Sequence, residues 1–169
     1  MDHFIDALEK SIETENWYSV LFISLSLPDI CGKIDEPNEN SSKQRTINWF
    51  NKYIKPYYTV KYDYDQNERI FLSGADFYAL RCAYLHEGSN DITNQRAQET
   101  LDKFQFIQPI ANNGVIIHQN LNGKILQLQV SEFGKEIIAA LKIWSYEISG
   151  DSEKIDKVNK LLNIEIINI

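Results

Sequence analysis

The stretch Ser73–Gly88, SGADFYALRCAYLHEG, is the clearest helix of the chain and the segment on which the fold reading rests. Ser73 with Asp76 three residues later is a capping pattern: the hydroxyl accepts from the third backbone amide and the carboxylate reaches back. Gly88 is placed to end the helix in a left-handed conformation.

Working outward, the chain on both sides is also helical in period. Asp2–Glu13 carries Phe4, Ile5, Leu8 and Ile12 at helical spacing, with Asp2 placed to cap it. A second helix starts near Thr14 or Asn16 and carries Trp17, Leu21, Phe22, Leu25 and Ile30. A kink or break is expected at Pro28, which lacks a backbone donor, and Gly32 is a further weak point. Lys33 to Ser42 reads as a solvated loop. Ser41 or Ser42 caps a third helix with Ile47, Phe50 and Ile54 as its buried stripe, Trp49 and Tyr53 beside it and Pro56 at its end. Tyr57 to Arg69 reads as an ordered loop with a short extended piece.

Beyond Gly88 the period changes. Phe104 and Phe106 precede Val115 and Ile117, and Asn122-Gly123 then joins two alternating segments, a strong hairpin signal. Ser131 is placed to cap a helix running to about Ser149 and buried through Phe133, Ile137, Ala140, Leu141 and Trp144. A last helix spans roughly Asp151 to Asn163. The expected architecture is mainly α: a helical bundle of five to six helices with one inserted β-hairpin at about residues 103–130. Residues 1–169 form a single domain without a long linker, repeat or low-complexity segment.

Composition narrows the function classes. Hydrophobic residues make up 43% and charged residues 24% of the chain, which excludes collagen-like, disordered and disulfide-scaffold proteins. The net charge of −7 excludes a broad basic field for duplex nucleic acid, leaving room only for a small basic pocket. Cys31 and Cys82 lack CxxC spacing and read as reduced thiols of a cytoplasmic protein. The first ten residues hold three acids and no apolar leader core. The apolar run Val20–Leu27 is too short to span a bilayer, so no membrane partner is expected. His3, His86 and His118 with the two thiols make no zinc spacing, and no metal or cofactor is expected.

The chemistry-bearing residues concentrate on the central helix. With Arg81 at zero and about 100° per residue, Phe77, Tyr78, Tyr84 and Leu85 fall within about 60° of it. A guanidinium on that aromatic side must be paired, stacked or open to a pocket. His86 lies about 140° round and about 7.5 Å along the axis, among Ala75, Ala79, Cys82 and Ala83. One helix does not easily aim both groups at one small target, whereas two helix ends facing each other across a two-fold axis can. There arginine would neutralise a phosphate and histidine would move a proton near neutral pH.

The segment Arg81-Cys82-Ala83-Tyr84-Leu85-His86 resembles the R-x4-6-H motif of the HEPN superfamily. That resemblance implies an all-helical, homodimeric domain and a metal-independent endoribonuclease of a defence or toxin–antitoxin system. It implies Arg81 and His86 as the catalytic pair, RNA as substrate and an antitoxin as a possible bacterial protein partner. Cys82 stands where such proteins usually carry a polar residue directly after the arginine. Tyr78, Tyr84 and Cys82 flank the pair as candidate binding residues.

Two other readings stand beside this one. The bundle could be a non-catalytic interaction module for a protein or a small anion, or Arg81 could pair internally with an acid such as Asp29. Elsewhere, His118 reads as a half-exposed sheet residue, and Lys43, Arg45, Lys52 and Lys55 as a solvated basic face. Tyr53, Tyr57, Tyr58, Tyr62 and Tyr64 read as a core edge with wet hydroxyls, and Glu9, Glu13 and Glu15 as surface charge.

Overall fold

The computed structural model describes residues 1–61, 68–110 and 114–164. Among these residues it is mainly helical, with six helices and two small sheets. Helices α1 (Asp2–Glu13), α2 (Trp17–Asp35), α3 (Ser42–Tyr53) and α4 (Gly74–Glu87) precede the larger sheet; α5 (Val130–Glu147) and α6 (Ser152–Asn159) follow it. A 3-10 turn, Lys55–Tyr58, leads into a small antiparallel pair, β1 (Thr59–Lys61) with β2 (Glu68–Ile70). The extended piece expected within Tyr57–Arg69 is this pair of short strands, preceded by the 3-10 turn; residues 62–67, Tyr62 and Tyr64 among them, lie outside the described residues.

Helix ends follow side-chain chemistry where a small oxygen-bearing residue is free to turn back. Asn16, Ser41, Ser73 and Asp151 each accept a backbone N–H in the first turn of the helix they precede. Two expected caps fail. Asp2 is already helical and Met1 precedes it without a capping bond. Ser131 lies inside α5, which starts directly from a strand at Val130, and its hydroxyl accepts from the Gln129 amide instead.

Pro28 does not break α2. The helix runs on through Asp35, taking in the first three residues of the expected loop. Pro28 cannot donate to the Ser24 carbonyl, yet it is buried within the core face, and packing on both sides outweighs the lost bond. Gly32 is a point of contact rather than weakness: a Cβ there would lie 2.7 Å from the Arg45 carbonyl oxygen, so its absence lets α3 lie against α2. Phe22, expected on the buried stripe, is half exposed, and Ile47 is only partly covered.

The Asn122-Gly123 signal makes the expected hairpin, β4 (Asn120–Asn122) with β5 (Ile125–Gln129), and Gly123 has φ 61°. The insertion is larger than a hairpin. Strand β3 (Lys103–Ile107) pairs with β5 in parallel, giving a mixed sheet ordered β3-β5-β4. Val115, Ile117 and His118 belong to no strand. Helix α6 ends at Asn159, four residues before the expected end, and the tail from residue 165 lies outside the described residues.

The core sits where α2, α3, α4 and α5 meet. Phe77 of α4 stacks on Phe50 of α3 with centroids 4.7 Å apart, and Phe133 of α5 closes the far side of Phe77. Such ring pairs add about 0.5–1.5 kcal/mol beyond their buried area. They fix the roll of α4 and hence the direction of every polar group on it. Among the described residues no helix is long and apolar enough to cross a membrane.

Candidate functional site

Helix α4 begins at a sealed polar centre. Ser73 accepts the Asp76 amide at 3.0 Å, as the capping pattern requires. The Asp76 carboxylate does not reach back to the backbone of Ser73. It accepts from the Ser73 hydroxyl and from the backbone amides of Glu99, Thr100 and Leu101. At 1% exposure, it serves as the internal anchor for the segment leading into β3. The capping pattern singled out Asp76, but nothing in the local sequence announced the amides 23–25 residues on.

One and a half turns later stands Arg81. Its Nη2 donates to Asp29 Oδ2 of α2 at 2.9 Å. Asp29 Oδ1 accepts from Arg45 of α3 at 3.1 Å, and Ser42 donates to Oδ2. One carboxylate therefore joins α2, α3 and α4 through two guanidiniums. The Arg81 and Asp29 side chains are each 17% exposed. Of the roles open to Arg81, the structure shows the internal ion pair. Arg45, expected on a solvated basic face, is instead largely buried in this cluster and also donates to the Glu39 carbonyl. The Nε atoms of both arginines are buried without a partner among the described residues.

Tyr78 and Cys82 border the same cluster. The Arg81 guanidinium lies 5.8 Å from the Tyr78 ring centroid, within cation–π range. Burial, with the Cys82 thiol beside it, pushes the Tyr78 hydroxyl above its ordinary value. Tyr78, Arg81 and Cys82 are all half-buried, so this face of α4 is neither core nor open surface.

His86 is not brought to Arg81. It is exposed in the last turn of α4, next to Gly88, which takes φ 65° and donates to the Tyr84 carbonyl. Tyr84 also parts from Arg81. It turns to α2, where its ring centroid is 5.0 Å from that of Phe22, and lines a separate cavity with Trp17 and Tyr18.

A second polar cluster went unread in the sequence. Glu136 of α5 accepts from the Tyr58 hydroxyl, lies 3.0 Å from His118 Nε2, and accepts from the Gln119 amide at 3.1 Å. His118 is therefore held on α5 rather than in a sheet, and Tyr58, expected wet, is fully buried. This cluster pins the segment before β4 to the bundle. Tyr53 is likewise buried, with its hydroxyl on Glu147. Among the described residues no group of three or more His, Cys, Asp or Glu side chains is placed to hold a metal ion.

No family model, no curated protein and no solved structure matches this chain. The functional reading rests on the geometry above and on the Arg81–His86 motif.

Proposed function

We propose that this chain is an HEPN-like RNA-binding protein working as a homodimer, with the Tyr78–Arg81–Cys82 face of α4 turned to the second copy. The observation that carries this reading is the state of that face. It is half-buried in one protomer, and its guanidinium is held in place by Asp29 rather than left to wander. A held arginine is pre-organised for a phosphate, because its orientation is fixed before the anion arrives. His86, exposed at the free end of the same helix, lies on another face and would join this site only if it came from the second copy.

Binding fits this arrangement better than cleavage. Metal-independent cleavage needs an imidazole and an uncompensated guanidinium at one phosphate. Here Asp29 already offsets part of the charge, and the imidazole of the same protomer lies on another face. Cleavage would require the second copy to bring its His86 to Arg81.

The test is a gel-shift and cleavage assay on structured and single-stranded RNAs, run with the wild type, Arg81→Ala and His86→Ala. Sedimentation of each variant runs in parallel. The reading expects a dimer, RNA retention by the wild type, and at least a tenfold loss in Arg81→Ala with folding intact. RNA binding that is absent, or equal in all three folded proteins, rejects it.

A second reading is a non-catalytic module that grips a protein or a small anion. The Asp29–Arg45–Arg81 cluster favours it, since two guanidiniums share a single carboxylate there. Retention of inorganic phosphate or a protein partner, without RNA, would select it.

A further inference from the structure

The strongest unexplained feature lies on the other side of α4. A cavity of about 460 Å³ opens where the start of α2, the end of α4 and the β3 edge converge. That size lies within the roughly 300–1,000 Å³ typical of small-molecule sites. Its walls are largely aromatic, from Trp17, Tyr18, Tyr84 and Phe106, and the polar residues Asn90 and Gln108 also line it.

The telling atom is the Tyr84 hydroxyl. Three tyrosines are buried in the described structure. Tyr53 and Tyr58 each donate to a carboxylate, Glu147 and Glu136. Tyr84, only 9% exposed, has a shielded hydroxyl with no partner among the described residues. Burial pushes that hydroxyl above its ordinary value, so it is a neutral donor throughout the ordinary pH range. A buried phenol without a partner forfeits its hydration with nothing in return and calls for an explanation. Tyr18, by contrast, is 76% exposed at the cavity mouth, a large ring left standing in solvent.

We propose that this cavity binds a nucleobase. A flat heteroaromatic ring is the ligand class that uses every part of the wall at once. It stacks on Trp17 or Tyr18, meets the polar residues Asn90 and Gln108 with its edge donors and acceptors, and gives the Tyr84 hydroxyl an acceptor once a shift of the surrounding rings uncovers it. Among the described residues no Lys or Arg lines the cavity, so the phosphate and sugar point outward and recognition is of the base itself. A purely aliphatic ligand would leave the hydroxyl and the polar part of the wall unanswered. The inference uses none of the residues of the Tyr78–Arg81–Cys82 face and goes beyond the reading given to it.

The base could come from a free nucleoside or from a single strand. Calorimetric titration of the full chain with adenosine, guanosine, cytidine and uridine, then with ten-nucleotide single strands and an abasic strand, distinguishes the sources. Tyr84→Phe keeps the ring and removes only an unpaired hydroxyl, so it folds at least as well as the wild type. It is expected to weaken base binding about 5- to 10-fold, the size of one hydrogen bond. Tyr18→Ala changes an exposed ring and is expected to cost about 5- to 100-fold, the range for base stacking. Binding of nucleosides, or of base-bearing strands but not the abasic one, with both losses, supports the proposal. No binding of any base-bearing probe overturns it, as does binding to which Tyr84→Phe and Tyr18→Ala are indifferent. Nucleoside titration reads this cavity alone, so its failure leaves the Arg81-dependent test of RNA binding standing.

Discussion

The two halves of α4 differ in how they treat polar groups. From Ser73 to Arg81 each buried charge is answered, Asp76 by three backbone amides and Arg81 by Asp29 at Nη2, although the Arg81 Nε has no partner among the described residues. From Tyr84 to Gly88 the reverse holds, with a buried hydroxyl unpartnered and an imidazole left in solvent. Satisfied buried charges make a framework, because breaking them exposes an uncompensated group in low dielectric. Unsatisfied groups beside a cavity are the places where a ligand can be gained. The first half of the helix therefore sets the geometry, and the second half is free to recognise something.

The sharpest way to break this comparison is Asp76→Ala. It strands backbone amides of Glu99, Thr100 and Leu101 inside the protein. The expected loss is roughly 3–5 kcal/mol, at 1–3 kcal/mol per unsatisfied group with partial relaxation, read as a shifted urea midpoint. Asp29→Ala comes next. It leaves two largely buried guanidiniums without their shared carboxylate, and about 3 kcal/mol is expected, the lower end for a broken buried pair because all three side chains retain some exposure. If either variant unfolds at the wild-type midpoint, the framework half of the comparison fails.

Alkaline titration sharpens the contrast between tyrosines. Burial first, then the Glu136 charge and hydrogen bond, push the Tyr58 hydroxyl well above 10.0; burial raises Tyr84 as well. A raised folded-state value means the folded protein holds its proton more tightly than the unfolded chain. The associated stability is complete below about pH 10 and is lost as the pH climbs toward the folded values. The melting temperature should therefore fall between pH 10 and 11. Tyr58→Phe should remove more of that slope than Tyr84→Phe; equal slopes in both variants would remove the distinction. The smallest effect expected is that of His86→Ala, within about 0.5 kcal/mol of wild-type stability, as befits an exposed side chain. A larger change would place His86 in the framework.

Much of the architecture was legible because it depends on neighbours in the chain. Helix α4 with its Ser73 cap and Gly88 stop, the Asn122-Gly123 turn and the Ser41 cap all follow from contacts within a few residues. Pro28 was misjudged because local propensity predicts a break, while burial on both sides of α2 carries the helix through. Strand β3 was missed as a partner of β5 because parallel pairing joins residues about 22 apart and leaves no turn signal between them.

The candidate site divides the same way. Arg81 on an aromatic face and Asp29 as a possible internal partner could be named from spacing alone. That Arg45 shares the same carboxylate, that Tyr84 turns away from Arg81, and that an aromatic cavity opens behind it could not. Which segments are helical, and the capped starts of α3 and α4, follow from the order of residues, since these depend on periodicity and on groups one or two turns away. Which charges are neutralised, and which buried polar atoms are left without a partner, is set by the packing of one helix on another. Those outcomes depend on helices α2, α3 and α4 meeting at fixed angles, and the ring packing of Phe50, Phe77 and Phe133 sets those angles.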